Sequence, residues 1–155
     1  SPDMIVRLGE TAALASSGKD ALPLLLIATR DADAAVRYWG VIGIGNIAPK
    51  KSVSALSVTR KLLRDSSLSV RVAASRALSR MGKPQESFPV LKNALTGPDQ
   101  WARLQAAIVL DEMEEQDRPL ISELKKALIN QPNKYIVRVA NRALNDLLNT
   151  DKQVR

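Results

Sequence analysis

A short pattern of residues recurs five times along this chain, at intervals of 30 to 34 residues. Each copy has an apolar anchor that should face the core, a helix-capping residue three positions before it and a large aliphatic residue eight positions after it. The anchors are Val6, Val36, Val70, Ala102 and Ile136, and the capping residues are Asp3, Asp33, Ser67, Asp99 and Asn133. Repeats of this length are typical of stacked helix pairs, because one pair cannot bury its apolar face until a neighbouring pair covers it.

Small residues behind each anchor predict that the capped helices approach their neighbours closely. In the second copy, Gly40 and Gly43 stand four and seven positions after Val36. With the anchor they fall in one stripe about 100° wide, the width of a core-facing helix surface. Alanine or valine takes these positions in the later copies. Glu10 takes the first of them in the first copy, where we expect its carboxylate to face water.

Apolar segments at helical spacing also lie between the capped helices and predict a partner for each. These segments are residues 22–30, 53–64, 86–95 and 120–129. Glycine and proline in the connectors predict turns. The predicted fold is all-α, an α–α superhelix of about four helix pairs plus a leading helix, in a single domain over residues 1–155. Because the chain begins inside a repeat, at Ser1, we expect it to be a fragment of a larger protein.

The composition favours a binding or structural role over catalysis. The chain has no histidine and no cysteine, which removes the commonest general base, the thiolate nucleophile and the commonest metal ligands. Aromatic residues make up only 3% of the chain, so small and aliphatic side chains must form the core. The longest apolar run, residues 22–28, is far too short to cross a membrane. We therefore expect no catalytic residue, no metal, no cofactor and no membrane partner.

Two stretches of the sequence resemble HEAT repeats, in particular the short HEAT-like repeats of bacterial proteins. They are ALPLLLIATRDADAAVRYWGVIGIG and VTRKLLRDSSLSVRVAASRALSRMG. The family pattern is a proline in the first helix, an aspartate before the second helix and then Val-Arg and small residues; the second stretch lacks the proline. The resemblance implies an armadillo-like solenoid that acts as a protein-binding scaffold. It also implies a ladder of ion pairs between repeats, which Arg7 would begin. The other ladder residues would be Asp31, Arg37, Asp65, Arg71 and Arg103.

A narrower resemblance concerns the segment DADAAVRYWGVIGIG, in which Tyr38-Trp39-Gly40 follows Val-Arg. It is similar to the helical tail of some bacterial sulfatases, which follows their catalytic domain. The resemblance implies an accessory C-terminal domain of a sulfuric ester hydrolase whose catalytic domain, its partner, is absent here. Neither the sulfatase nucleophile motif nor its metal-binding set of Asp and His occurs in this chain. This fragment is therefore not an enzyme, although its parent could be one. The compartment stays open, cytoplasmic or, for a sulfatase, periplasmic or exported.

The second capped helix carries apolar residues on every side, which leaves two interpretations open. Tyr38, Trp39 and Ile42 lie outside its core stripe. They either pack against neighbouring repeats or form a docking surface for a partner protein. On a helical wheel Tyr38 points away from the core and should be accessible. Trp101 and Tyr135 each precede an anchor, and we expect both to pack at the seams between repeats.

Positive charge is concentrated between residues 50 and 83. This segment holds nine basic residues and one acid, whereas the whole chain has a net charge of +7. Arg76 and Arg80 are four positions apart and should share one helix face. They are candidates for a strip that binds a polyanion, such as nucleic acid or a sulfated glycan. The alternative is a solvated basic face, which the lack of aromatic residues for base stacking favours.

Overall fold

The computed structural model of the protein describes residues 2–150 and consists of α-helices joined by turns and short 3-10 segments. The helices are α1 (Pro2–Leu14), α2 (Leu22–Ala28), α3 (Ala34–Ile47), α4 (Val53–Leu62), α5 (Leu68–Arg80), α6 (Phe88–Thr96), α7 (Gln100–Met113), α8 (Ile121–Ala127) and α9 (Lys134–Leu148). The predicted all-α fold, with a leading helix and four helix pairs, is confirmed over the described residues.

The chain divides into two compact units, Ser1–Ser87 and Phe88–Arg155. The expectation of one domain over residues 1–155 stays a prediction, and its ends, residue 1 and residues 151–155, lie outside the described part of the chain.

Side-chain caps fix where three of the second helices begin. Asp33 accepts a hydrogen bond from the N–H of Ala35 at 2.8 Å, which starts α3. Asp99 and Asn133 cap α7 and α9 in the same way. Such caps satisfy N–H groups that have no partner within the helix. The predicted caps at these three positions are confirmed.

The predicted cap at Asp3 is wrong, whereas Ser67 stands at the predicted N-cap position of α5 without a side-chain cap bond in the described part of the chain. Asp3 lies inside the first turn of α1, which already begins at Pro2. Ser67 precedes α5 but makes no side-chain cap bond among the described residues. Asp65 Oδ1 instead accepts the N–H of Ser67 at 2.8 Å. The carboxylate two positions upstream therefore organises this turn.

In the first unit, α2 packs on α3 and α4 packs on α5, while α3 lies between α1 and α5. Leu25, Ile44, Val70 and Leu78 are completely buried in its core. The close approach predicted at the small residues is present, because a Cβ added to Gly40 would lie 3.0 Å from the backbone nitrogen of Thr29.

The first copy of the pattern differs from the other four in its burial. The anchors of the later copies are at most 1% exposed, whereas Val6 is 56% exposed, so the prediction that Val6 faces the core is wrong. Each later capped helix packs against the helix before it, but no described helix precedes α1. Glu10 is exposed, as expected. A groove of about 510 Å³ lies here, with Leu14, Leu24 and Ile27 among its lining residues.

In the second unit, α6 packs on α7, α8 packs on α9, and α7 packs on α9. Leu91, Leu110, Leu124 and Ile136 are fully buried in it. A 3-10 segment, Glu114–Leu120, joins α7 to α8. Within residues 2–150, the helices are all too short or too polar to cross a membrane.

Candidate protein-interaction surface

The arginine–aspartate ladder has two rungs in the first unit. Arg37 donates from Nε and Nη2 to the carboxylate of Asp65, at 2.8 and 2.9 Å, and both side chains are largely buried. Arg7 donates to Asp31 in the same forked manner, at 2.7 and 3.3 Å, although its side chain is 44% exposed. Burial raises the pKa of Asp65, but the bonds from Arg37 and from the N–H of Ser67 outweigh it and lower that pKa below its ordinary value.

The ladder does not continue past Asp65, because Gly97 and Gln131 occupy the next two positions of the aspartate series. The remaining predicted ladder arginines bond within their own repeats instead. Arg71 donates to the carbonyl of Asp65 at 2.6 Å, and Arg103 donates to the carbonyl of Gly97. These bonds hold the turn before each helix and do not join two repeats.

The structure places Tyr38 and Ile42 partly inside the protein. Both are half-buried and pack against the core of the first unit, so the expectation that Tyr38 is accessible is wrong. Trp39 is 37% exposed, and its ring meets that of Tyr38 edge-on with centroids 5.6 Å apart. The helical wheel misplaced Tyr38 because it describes one isolated helix, whereas α3 is covered by α1, α2 and α5.

Arg76 and Arg80 both bond to the end of α3. Arg80 Nε donates to the carbonyl of Gly45 at 2.7 Å, and Arg76 Nη1 donates to Asn46 Oδ1 at 3.1 Å. A cation is favourable at this point, because the last carbonyls of a helix lack partners and carry partial negative charge. The two arginines therefore have an intramolecular role that the sequence did not reveal.

Other cations of the basic segment are more accessible. Lys50, Lys51, Lys61, Arg64 and Lys83 are exposed. Lys51 precedes the cap of α4, whereas Lys61 lies in its last turn, so the two are near opposite ends of that helix. A cavity of about 470 Å³ is lined by Arg60, Lys61, Leu63, Arg64 and Glu86. Arg60 is already paired with Glu86 at 2.8 Å.

Trp101 and Tyr135 are the exposed aromatic side chains that sequence reasoning missed. Their exposed fractions are 63% and 67%, so the prediction that they pack at the repeat seams is wrong. Each is the second residue of its helix, and its N–H is held at 2.9 Å by the cap, Asp99 or Asn133. Equivalent caps thus put the two rings at the same position of two adjacent helices.

The repeat register contained the signal for this exposure. At 100° per residue, the position before an anchor lies roughly 130° from the centre of the core stripe. Positions three and seven residues further on point to the same outer side. On α7 these are Leu104 and Ile108, and on α9 they are Arg138 and Arg142. We call these four residues, together with Trp101 and Tyr135, the aromatic surface of the second unit.

The aromatic surface consists of two unlike rows. The α7 row, Trp101, Leu104 and Ile108, is apolar, and Ile108 is 41% exposed. In the α9 row, Arg138 and Arg142 follow Tyr135 along the helix, and both arginines are exposed. Because packed helices lie about 8–10 Å apart, one bound chain can touch both rows. An ion pair between Arg142 and Asp111 joins the two helices.

The second unit also contains a buried acid with an unusual environment. Asp117 is completely buried, and neither of its carboxylate oxygens has a hydrogen-bond partner among the described residues. Burial, helped by the nearby charges of Asp111 and Glu115, raises the pKa of Asp117 to about 7, against the lowering effects of its own backbone N–H and of Arg118. Residues 2–150 contain no group of three or more Asp or Glu side chains arranged to hold a metal ion.

The protein is similar in fold to the crystal structure of an engineered protein from the Northeast Structural Genomics Consortium. The TM-score is 0.58, and the match covers 84% of this chain and 63% of the engineered one. The present chain thus spans less than two thirds of that protein. At 20% sequence identity, the similarity shows the fold alone. No curated protein matches the sequence.

The family comparison agrees with the helix pairs described above. The sequence profile described as "HEAT repeats" matches residues 21–111, from the start of α2 to the last turns of α7. The matched region is more than half of the chain. It contains the Arg37–Asp65 rung of the ladder and Asp31 of the other rung, and it spans three of the four helix pairs. The chain belongs to the HEAT-repeat family.

Proposed function

We propose that this protein is a non-catalytic protein-interaction scaffold, and that the aromatic surface of the second unit binds its partner. The observation that carries the proposal is the exposure of Trp101 and Tyr135 at matching positions of two packed helices. Aromatic side chains are typical anchors of protein interfaces, since they supply a large contact area at a small entropic cost. HEAT repeats commonly mediate protein interactions, and the family relationship supports the same function.

A peptide-display selection tests this proposal directly. Random dodecapeptides are selected on the wild-type protein, and the enriched peptides are then measured against Trp101→Ala and Tyr135→Ala. We expect each substitution to weaken binding about tenfold or more, as loss of an interface anchor does. Ile129→Ala is the matched control, because Ile129 is 66% exposed in the same unit but lies outside the aromatic surface. Enriched peptides that bind all four proteins equally, or no enrichment at all, would refute the proposal.

A second candidate function is the binding of a polyanion by the basic segment. The cavity beside Arg60, Lys61 and Arg64 supports it, whereas the bonds of Arg76 and Arg80 to α3 reduce its support. On a heparin column, this function predicts elution at high salt and earlier elution of a Lys61→Gln/Arg64→Gln double variant. Elution of the wild type at low salt would exclude it.

The sulfatase relationship stays a prediction from sequence. Its support is the Tyr38-Trp39-Gly40 segment, and Trp39 is partly exposed on α3, where a catalytic domain of the same protein could dock. The sequence of the complete gene product decides this point. A sulfatase nucleophile motif there would support the relationship, and its absence from the complete product would remove it.

A further inference from the structure

We infer that the partner of the aromatic surface is an extended acidic segment in which apolar and acidic side chains alternate. The inference rests on the proposed function and adds the chemistry of the ligand. It follows from the unlike character of the two rows, one apolar and one cationic, which lie side by side on α7 and α9.

Charge around the α9 row favours an anionic ligand. Lys134 and Arg138 are exposed on either side of Tyr135 in the chain. The cap of α9 is Asn133, a neutral residue, so the positive end of that helix is not neutralised by its cap. Asp99, Glu112 and Glu114 are the exposed acids on or next to α7, and the two glutamates lie beyond the end of the apolar row. Asp111 is already paired with Arg142, so Arg138 and Lys134 are the cations left for a ligand. Carboxylates of a ligand should therefore meet Arg138 and avoid the Glu112 end.

The spacing of the rows fits an extended chain. Arg138 and Arg142 are four residues apart, about 6 Å along the helix axis, and so are Leu104 and Ile108. Alternate side chains of an extended peptide repeat every 6.5 Å or so and point to opposite sides. A peptide between the rows can therefore direct its apolar side chains to α7 and its carboxylates to α9.

Nucleic acid is a less suitable occupant, although aromatic and basic residues also bind single strands. Phosphate chains need a long cationic groove. In the second unit, an acidic stretch at the C-terminal end of α7 interrupts any such groove. Its exposed members are Glu112, Glu114 and Glu115. Sulfated glycans are disfavoured for the same reason.

The test uses two labelled peptides and the intrinsic fluorescence of Trp101. In one peptide Leu alternates with Glu, and in the other Gln replaces every Glu. The chain has two tryptophans, so Trp39→Phe leaves Trp101 as the sole emitter. We expect the Glu peptide to shift the Trp101 emission to the blue, and to bind at least about tenfold more tightly than the Gln peptide at low salt.

A charge substitution then identifies the group that recognises the carboxylates. Arg138→Gln should weaken binding of the Glu peptide by about three- to tenfold and leave the Gln peptide unchanged, which is the coupling expected of a direct contact. Lys126→Gln, an exposed cation on α8, is the matched control and should change neither affinity.

The possible failures are distinguishable. Equal affinity for both peptides, lost in Trp101→Ala, would overturn the acidic preference and leave the proposed function standing. A Trp101 response to heparin or to a DNA oligonucleotide but to neither peptide would show that the surface takes a polyanion instead. No Trp101 response to any probe, together with a display selection that ignores Trp101 and Tyr135, would overturn both proposals.

Discussion

At the scale of single residues, the side chain least explained by folding is Asp117. A buried carboxylate without hydrogen bonds costs free energy when it is charged, so it takes up a proton more readily than it does in water. Its ordinary pKa is 3.8 and its pKa in the fold is about 7. Between these values the folded protein binds more protons than the unfolded chain. The free energy of unfolding therefore falls as the pH rises through this window.

Asp117→Asn should remove this loss of stability. Asparagine is neutral at every pH, so we expect the variant to be more stable than the wild type at pH 8, by on the order of 3 kcal/mol. The two proteins should converge near pH 4. Urea unfolding at several pH values measures the difference. Asp146→Asn is the control, since Asp146 is exposed on α9. Parallel pH profiles for the wild type and Asp117→Asn would contradict this account.

The sequence could not have revealed Asp117, because its burial depends on three dimensions. Asp111, Glu112, Glu114 and Glu115 stand close to it in the chain, and the run resembles an ordinary solvated acidic stretch. The 3-10 segment packs against α7, α8 and α9, which encloses only one of these carboxylates completely. No periodic pattern distinguishes that position from its neighbours.

At the scale of helices, glycine in α3 is explained by contact with neighbouring helices. Glycine weakens a helix interior by about 1 kcal/mol relative to alanine. A Cβ at Gly43 would come within 3.0 Å of the backbone of Ala15, as well as closer to the side chain of Leu25. The chain thus exchanges local helix stability for the close packing of α3 on its neighbours.

The two kinds of helical glycine should respond oppositely to alanine. Gly40→Ala should destabilise the protein by about 1–3 kcal/mol, because the new methyl group meets rigid backbone at Thr29. Gly9→Ala in α1 should stabilise it by about 0.5–1 kcal/mol, because no described atom outside the adjoining turns of α1 lies within 4 Å of the added carbon. Thermal unfolding of both variants checks the pair. Equal changes in melting temperature for the two variants would show that helix propensity alone determines how these glycines affect stability.

The helices themselves were predictable because capping residues and small residues recur with the repeat. Asp33 starts α3 and Asn133 starts α9, where the pattern places them. Exposure was harder to predict, because it depends on which faces the neighbouring helices cover. Tyr38 and Tyr135 are both off the core stripe, yet only Tyr38 is enclosed by adjacent helices.

At the scale of the whole molecule, the ladder makes the stability of a repeat depend on its neighbour. In repeat proteins, the folding free energy is approximately a sum of terms for single repeats and terms for neighbouring pairs. Arg37 belongs to the second repeat and Asp65 to the third. The pair therefore contributes to the interaction free energy between the second and third repeats. Its effect on stability should decrease with distance along the chain.

Arg37→Ala should destabilise the protein by roughly 1–3 kcal/mol, because Asp65 would lose its partner at a largely buried site. Hydrogen exchange should become faster in α3 and α5 and stay unchanged in α9. Arg7→Ala is the matched control, since the same type of pair is more exposed there, and its effect should be much smaller. Uniformly faster exchange in every helix would contradict a stability that is local to neighbouring repeats.

The carboxylates of the ladder also determine where the chain can be lengthened. Asp31 and Asp65 each accept the N–H two positions ahead while holding an arginine of the preceding repeat. An insertion between Asp65 and Ser67 would prevent the Asp65 carboxylate from accepting both the arginine and the N–H. We therefore expect neither the Asp65 turn nor the equivalent turn at Asp31 to tolerate an added residue. Residues 16–20, the connector at the opposite end of α1 and α2, are exposed and free of this constraint. New loops, tags or fused domains should therefore be accommodated there and rejected at the Asp31 and Asp65 turns.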